Sequence, residues 1–186
     1  MKLQLVEYDQ ASPEVQKIYA ETMDELNVPF VLNWFKCQGN NASLLRGNWE
    51  KLKSVLLNGS VPMVLKQLMI YNISKEKGCM YCAQAHGIMA DSMSSLISDV
   101  SGFKVTQNIN TAHLPSSYNA AINIVTKAAL TPSNITDQDF DDLREEGFSD
   151  DELQELFSHA DLVNMLNTIA DISGIKLDNE LMEVEA

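Results

Sequence analysis

The sequence predicts an all-α protein, on the strength of frequent helix signals, weak strand signals and a globular composition. Apolar residues recur at helical spacing, with capping residues before them and Gly or Asn-Gly after them. Hydrophobic residues make up 45% of the 186 residues, and no apolar run approaches the ~20 residues of a membrane span. We expect one helical domain over residues 1–177, followed by a loose acidic tail over 178–186.

Five helices are predicted in the first half of the chain. Ser12 and Pro13 give the first of them an N-cap and a favourable first helical position. Gly59 and Gly78 follow the third and fourth helices, because glycine readily adopts the left-handed conformation that ends a helix. In chain order, the predicted ranges are about 13–26, 30–38, 43–57, 62–77 and 79–93.

Three further helices are predicted after a mixed stretch, residues 94–115, which we interpret as loops around a short helix. Ser116 begins the first of the three. Thr136 and Ser149 each begin a sequence with acidic residues in the first helical turn, which is typical of an N-terminal cap. The predicted ranges are about 116–130, 136–147 and 149–172.

The charge distribution argues against nucleic acid and anionic membranes as partners. The formal net charge is −13, of which −1 falls in residues 1–100 and −12 in residues 101–186. Such a surface repels phosphate backbones and anionic lipid headgroups. We interpret the acidic surface as a solvated face, and a docking surface for a basic partner is the alternative.

The N-terminus has no apolar signal core, so we expect a cytoplasmic protein.

The chain has three cysteines, an odd and low number that argues against a framework of structural disulfides. Cys37 lies in an apolar stretch and is interpreted as a small buried hydrophobic residue. Cys79 and Cys82 form a close pair. Chemistry is therefore expected at the pair.

Cys79, Cys82 and His86 are spaced so that a helix beginning near Cys79 would bring them onto one face. An i,i+3 pair can form a disulfide across one turn. The partial positive charge of a helix N-terminus favours the thiolate, which is the nucleophilic form. His86 lies four residues after Cys82 and can exchange a proton with it. The spacing therefore favours thiol redox chemistry.

The roles within the pair stay open at this point. The helix dipole favours Cys79 as the thiolate, whereas His86 favours Cys82 as the attacking thiol, and we favour Cys82 with Cys79 as the resolving residue. Glu76 is a candidate for a further proton relay, although it is also typical of a surface carboxylate.

Two other interpretations of the motif remain open. In the first, the two cysteines are buried and have no chemical role. A metal site is the other, since Cys79, Cys82 and His86 are all competent zinc ligands. A structural zinc site needs a fourth ligand, and the chain offers only the separated residues Cys37, His113 and His159. His113 is interpreted as a surface residue and His159 as a core or interface residue that could also face the thiols.

The motif Cys-x-Tyr-Cys-x-x-x-His, after a helix that ends in Lys-Gly, resembles that of the AhpD-like alkylhydroperoxidase family. This family belongs to the carboxymuconolactone decarboxylase superfamily, and the chain resembles its longer, peroxidase-related branch. The resemblance covers nearly the whole chain and includes the Leu130-Thr131-Pro132 turn and the final helix around Leu166–Asp171.

The resemblance implies an all-α helical bundle with the thiols at a helix N-terminus, assembled as a trimer or hexamer. It implies reduction of organic hydroperoxides, with electrons returned by a dithiol donor such as a lipoyl or thioredoxin-like protein, and no cofactor. By the same resemblance, Cys82 is peroxidatic, Cys79 resolving and His86 the proton relay. Carboxymuconolactone decarboxylase activity itself is not expected, because those members work without the cysteine pair.

One position departs from the family pattern. The family usually has a Glu twelve residues before the first motif cysteine, and this chain has Gln67 there. Either Glu76 substitutes for it, or the relay is shorter and peroxidase activity weaker. A redox sensor or binding protein that uses the same pair without efficient turnover is therefore the alternative function.

Overall fold

The structure, a computed structural model, describes residues 2–182 and contains no β-strand in that range. The predicted all-α fold is confirmed. The helices are α1 (Pro13–Leu26), α2 (Asn33–Lys36), α3 (Ala42–Leu52), α4 (Met63–Lys77), α5 (Met80–Ser92), α6 (Ser116–Leu130), α7 (Asp137–Glu145), α8 (Asp150–Ser173) and α9 (Asn179–Met182). Short 3₁₀ turns lie at Tyr8–Gln10, Ser94–Leu96, Val105–Gln107 and Pro132–Asn134.

Helix α4 runs through the centre of the bundle and packs against α5, α6 and α8. Its buried residues lie on almost every side of the helix, as expected of a helix surrounded by others. Helices α4 and α5 form an antiparallel hairpin, which places the start of α5 at one end of the bundle.

Sequence signals locate the helix starts well. Ser12 and Ser149 accept hydrogen bonds from the backbone N–H groups of Val15 and Glu152, as N-caps do.

The third predicted helix differs from expectation, because α3 ends at Leu52 and the chain continues as a π-helical turn, Lys53–Leu57.

The π-helical turn is held by a buried lysine of the central helix. The Lys66 ammonium group donates to the backbone carbonyls of Val55 and Asn58 and forms an ion pair with Glu155. Its side chain is only 2% exposed, so the ammonium group needs all of these partners. Lys66 thereby satisfies carbonyl groups that the end of the helical segment leaves free.

Residues 178–182 do not form the loose tail that we expected. Asp178 and Leu181 are buried, and Asn179–Met182 form α9. The Asp178 carboxylate accepts hydrogen bonds from the Asn33 backbone N–H (2.7 Å) and from the Tyr81 hydroxyl (2.9 Å). The tail starts as a packed segment because these long-range bonds satisfy its buried acid. Residues 183–186 of the predicted tail lie outside the described residues.

Candidate functional site

The cysteine pair lies where the chain turns from α4 into α5. Gly78 adopts a left-handed conformation (φ 74°), and two backbone bonds close the end of α4: Gly78 N–H to Lys75 C=O (3.1 Å) and Cys79 N–H to Ser74 C=O (2.9 Å). These are the bonds of a Schellman motif. Cys79 follows directly as the N-cap residue of α5, which places Cys82 in the first turn.

Both thiols are buried, with 0% of Cys79 and 1% of Cys82 exposed to solvent. A hydrogen bond from the Cys82 thiol lowers the pKa of Cys79, against the opposing effects of burial and of Asp171. The same hydrogen bond, together with burial, raises the pKa of Cys82. The first negative charge of the pair is therefore favoured on Cys79.

The two thiols differ in what they face. Cys82 lines a cavity, whereas the Cys79 sulfur lies 3.9 Å from the backbone oxygen of Asn167 on α8. A substrate in the cavity would meet Cys82 first, although the thiolate is favoured on Cys79. The sequence had raised the same opposition, with the helix dipole favouring Cys79 as the thiolate and His86 favouring Cys82 as the attacking thiol.

His86 lines the same cavity one helical turn after Cys82, and its Nδ1 lies 2.6 Å from the side-chain oxygen of Gln67. The Gln67 Nε2 points toward the Met63 sulfur (3.5 Å). With an amide oxygen as its partner, Nδ1 must carry the proton, so Nε2 is the basic nitrogen. Desolvation lowers the pKa of His86 to about 4, which makes the ring neutral at ordinary pH.

The cavity has a volume of about 520 Å³ and lies between α1, α3, α4 and α5 and the C-terminal segment. This volume is typical of a small-molecule site. Most of its walls are apolar, and Gln67, Cys82 and His86 place polar groups among them. Apolar residues of the wall include Leu32, Phe35, Leu56, Met63, Met89 and Leu166.

Sequence reasoning missed the residues that close the cavity from the C-terminal side. Leu181 of α9 and Tyr81 are part of its wall. Burial, followed by the nearby Asp178 charge, raises the pKa of Tyr81 well above its usual range, so the hydroxyl stays protonated and donates a hydrogen bond to that carboxylate. The tyrosine is visible in the motif, but no local signal pairs it with an acid 97 residues later.

The structure brings Cys79, Cys82 and His86 together, as the spacing predicted. Glu76 is exposed near the end of α4 and is not among the described residues that line the cavity. The position beside His86 is occupied by Gln67. This placement gives no support to the idea that Glu76 replaces the family carboxylate.

The other candidate residues lie away from the cavity. Cys37 is buried, as expected, and His113 is exposed. His159 is fully buried, and its Nδ1 lies 2.9 Å from the Glu155 backbone oxygen. Among residues 2–182, no group of three or more His, Cys, Asp and Glu side chains is arranged to hold a metal ion. No described helix is both long and apolar enough to cross a membrane.

Comparison by sequence finds no matching family model and no match among curated proteins. Solved structures do match. An uncharacterised peroxidase-related protein from Ralstonia eutropha JMP134, described as an alkylhydroperoxidase AhpD core, is similar with a TM-score of 0.82 and 20% identity over 97% of this chain and 93% of that one.

Two further similar structures extend the comparison. An uncharacterised peroxidase-related protein from Silicibacter sp. TM1040 has a TM-score of 0.77 and 19% identity, over 92% of this chain and 90% of that one. The debrominase Bmp8, in complex with 2,3,4-tribromopyrrole, has a TM-score of 0.72 and 16% identity, over 93% and 90%. A protein with this architecture is therefore a debrominase, others are described as peroxidase-related, and the chain has the AhpD-like fold that its sequence predicted.

Proposed function

We propose that the protein is a thiol-dependent oxidoreductase that reduces organic hydroperoxides through a Cys79–Cys82 dithiol–disulfide cycle. The observation that carries the proposal is that Cys82 and a neutral His86 line one apolar cavity, with Cys79 one turn away behind Cys82. In the proposed cycle, Cys82 is the nucleophile, His86 the base and Cys79 the resolving thiol, at a site suited to a small apolar molecule.

In the first step, the free Nε2 of His86 takes the proton of Cys82. The resulting thiolate attacks one oxygen of the peroxide, and the O–O bond breaks. Cys82 becomes a sulfenic acid, and the alkoxide that leaves takes a proton from His86 and departs as an alcohol. The peroxide is reduced by two electrons, and the Cys82 sulfur is oxidised by two.

In the second step, the Cys79 sulfur attacks the Cys82 sulfenic acid. An S–S bond forms, the S–O bond breaks, and the hydroxide that leaves is protonated to water. A dithiol donor, such as a lipoyl or thioredoxin-like protein, then reduces the disulfide by thiol–disulfide exchange and becomes a disulfide itself.

The size and lining of the cavity favour hydroperoxides with an alkyl or aromatic body. About 520 Å³ of mostly apolar space gains little from hydrogen peroxide, which offers no apolar surface to bury. An organic hydroperoxide could place its body against the wall and its O–O bond at Cys82. We therefore expect a preference for organic peroxides.

The same site supports a second candidate, reductive debromination of an apolar aromatic compound. The observation that favours it is the similarity in fold to Bmp8, a debrominase whose structure contains tribromopyrrole. In a balanced form, the Cys82 sulfur takes bromine from carbon and the carbon takes a proton. Cys79 then displaces bromide as the disulfide forms, so two thiols supply the two electrons.

The redox sensor remains an alternative because Gln67 cannot carry a proton. A sensor would oxidise without efficient turnover and change its contacts with a partner. The Cys79, Cys82 and His86 metal site also stays an alternative, although these residues do not form a metal-holding group in the structure.

We further propose a cytoplasmic homo-oligomer, either a trimer or a hexamer. Several large apolar side chains are exposed on the single chain, and an oligomer would bury such surface. They include Leu44, Met80, Leu96, Val100 and Ile172.

The test is a titration of free thiols after one equivalent of cumene hydroperoxide or of hydrogen peroxide, followed by dihydrolipoamide. We expect loss of two thiols per chain with cumene hydroperoxide, slower loss with hydrogen peroxide, and recovery with the dithiol. Cys82→Ser should abolish turnover. Cys37→Ser is the matched control, since Cys37 is buried and has no role in the cycle.

The outcomes separate the candidates. Turnover at the native rate by Cys82→Ser would contradict the assignment, and oxidation without recovery would favour the sensor. A parallel incubation with tribromopyrrole tests debromination, because that reaction releases bromide. Metal in protein purified without added metal would favour the metal site.

A further inference from the structure

Cys79 faces away from the cavity and toward the last turns of α8. Its sulfur lies 3.9 Å from the Asn167 backbone oxygen and is fully buried. Asp171 lies one helical turn after Asn167 on the same face of α8, and the charge of its carboxylate opposes ionisation of the nearby Cys79 thiol. Asp171 itself is exposed. One sulfur of the pair therefore lies at the cavity, and the other lies against the turn of α8 that precedes Asp171.

The cycle proposed above does not name the group that takes the thiol proton of Cys79. When Cys79 is protonated, its thiol must lose that proton as the sulfur attacks the Cys82 sulfenic acid. His86 lines the cavity, whereas Cys79 is not among the described residues of the cavity wall. A base on the α8 side would remove the proton directly.

We propose that Asp171 is the general base for Cys79, and that it passes the proton of the resolving thiol to solvent. This inference rests on the proposed dithiol–disulfide cycle and adds a catalytic residue to it. The dithiol then has two separate proton routes, one through His86 inside the cavity and one through Asp171 at the surface.

The step balances without any other reactant. The Cys79 S–H bond breaks, its proton goes to the Asp171 carboxylate, and its electron pair forms the S–S bond with Cys82. The hydroxide that leaves Cys82 takes a proton from solvent and becomes water, and Asp171 returns its own proton to bulk water, so the two proton transfers cancel. When a donor dithiol later opens the disulfide, the same carboxylic acid can protonate Cys79 as it leaves.

The surroundings of Cys79 fit this role. The titratable groups that act on it are Cys82, from its own helix, and Asp171, from α8. Asn167 fixes the facing turn of α8, since its side-chain oxygen accepts a hydrogen bond from the Ser74 hydroxyl (2.9 Å) at the end of α4. The Asn167 Nδ2 is buried with no hydrogen-bond partner, so the residue that contacts Cys79 also retains an unused donor.

A first experiment tests the contact without any peroxide. In the Cys82→Ser and Cys37→Ser background, Cys79 is the remaining thiol, and its rate of alkylation by iodoacetamide is followed against pH. Because a carboxylate opposes a thiolate beside it, adding Asp171→Asn should lower the midpoint of that profile by about one pH unit. Asp161→Asn removes a surface charge from the same helix about 15 Å away and should leave the midpoint unchanged.

A second experiment tests the base. Disulfide closure is followed by acid quenching after saturating cumene hydroperoxide, from pH 5.5 to 9. Asp171→Asn should close on the order of tenfold more slowly at pH 6, and the difference should vanish at high pH, where Cys79 ionises unaided. Formation of the sulfenic acid in a Cys79→Ser chain should be the same with and without Asp171.

A purely structural role would slow closure by the same factor at every pH. A constant ratio, or closure at the native rate throughout, would overturn the proposal. Failure of the native chain to form any disulfide would instead overturn the proposed function, while the alkylation profile would still report whether Asp171 acts on Cys79.

Discussion

Gln67 and His86 meet through one hydrogen bond of 2.6 Å between the amide oxygen and Nδ1, and this bond fixes how the histidine can act. A carboxylate at position 67 would stabilise a protonated imidazole, whereas a neutral amide orients the ring without adding charge. The histidine therefore keeps a low pKa, about 4, and its ring is neutral over most of the pH range.

Gln67→Glu should move the pH dependence of hydroperoxide reduction. A carboxylate beside His86 raises the pKa of the ring, so the free base is lost at a higher pH than in the native protein. We expect the acidic limb of the rate profile to shift upward by one unit or more. Gln84→Glu, on the exposed face of the same helix, should leave the limb in place. An unmoved limb in Gln67→Glu would show that His86 is not the base.

The residues of the site that the sequence predicted are those set by local spacing. Cys79, Cys82 and His86 belong to one helix start, so a periodicity of 3.6 residues brings them together. Asp171 and Asp178 approach the motif from α8 and the C-terminal segment, and such contacts depend on packing between distant segments. Glu76 was a candidate by proximity in sequence alone, and the structure places it at the surface.

At the scale of helices, the turn between α4 and α5 places the thiols, and Gly78 makes that turn possible. Its positive φ of 74° is unfavourable for a residue with a Cβ atom, although no neighbouring atom lies within 4 Å of where a Cβ would be. The need for glycine at this position is therefore conformational and not steric.

Gly78→Ala should destabilise the protein by about 1 kcal/mol, because the left-handed conformation is unfavourable for alanine. Gly47→Ala is the matched control, because Gly47 lies in the interior of α3 and a Cβ there meets no atom within 4 Å. That control should stabilise the protein by about 0.5–1 kcal/mol. Urea unfolding at pH 7 measures both. Equal effects of the two substitutions would contradict this account of the turn.

Most helices could be predicted, because capping residues and apolar periodicity are local signals. Two features could not. The π-helical turn after α3 depends on Lys66, a lysine inside an otherwise apolar helix, reaching back to Val55 and Asn58. The packing of α9 depends on Asp178, whose acidic neighbourhood in the sequence is also typical of a loose tail.

At the scale of the whole molecule, two histidines link folding to pH. Desolvation lowers the pKa of both His86 and His159 to about 4. An unfolded chain binds the same protons near pH 6.5. Between pH 6.5 and 4 the unfolded state therefore holds more protons, and the free energy of unfolding falls as the pH falls.

His159→Gln should remove part of this pH dependence. The native protein should lose about 3 kcal/mol of stability through His159 alone between pH 7 and pH 4. Urea midpoints over that range should fall less steeply in His159→Gln, whatever its stability at pH 7. His113→Gln, at an exposed position, should keep the native slope. A native slope in His159→Gln would mean that His159 is protonated equally in both states.

The cavity wall carries Met63, Met89 and Met93, which has a consequence for durability. Thioether sulfur reacts with peroxides, and methionine sulfoxide is polar where methionine is apolar. A hydroperoxide held against these side chains would sometimes oxidise the wall and not Cys82. Each such event would lower the affinity of the cavity for the next apolar substrate. Loss of activity would therefore depend on the number of turnovers completed and not on elapsed time.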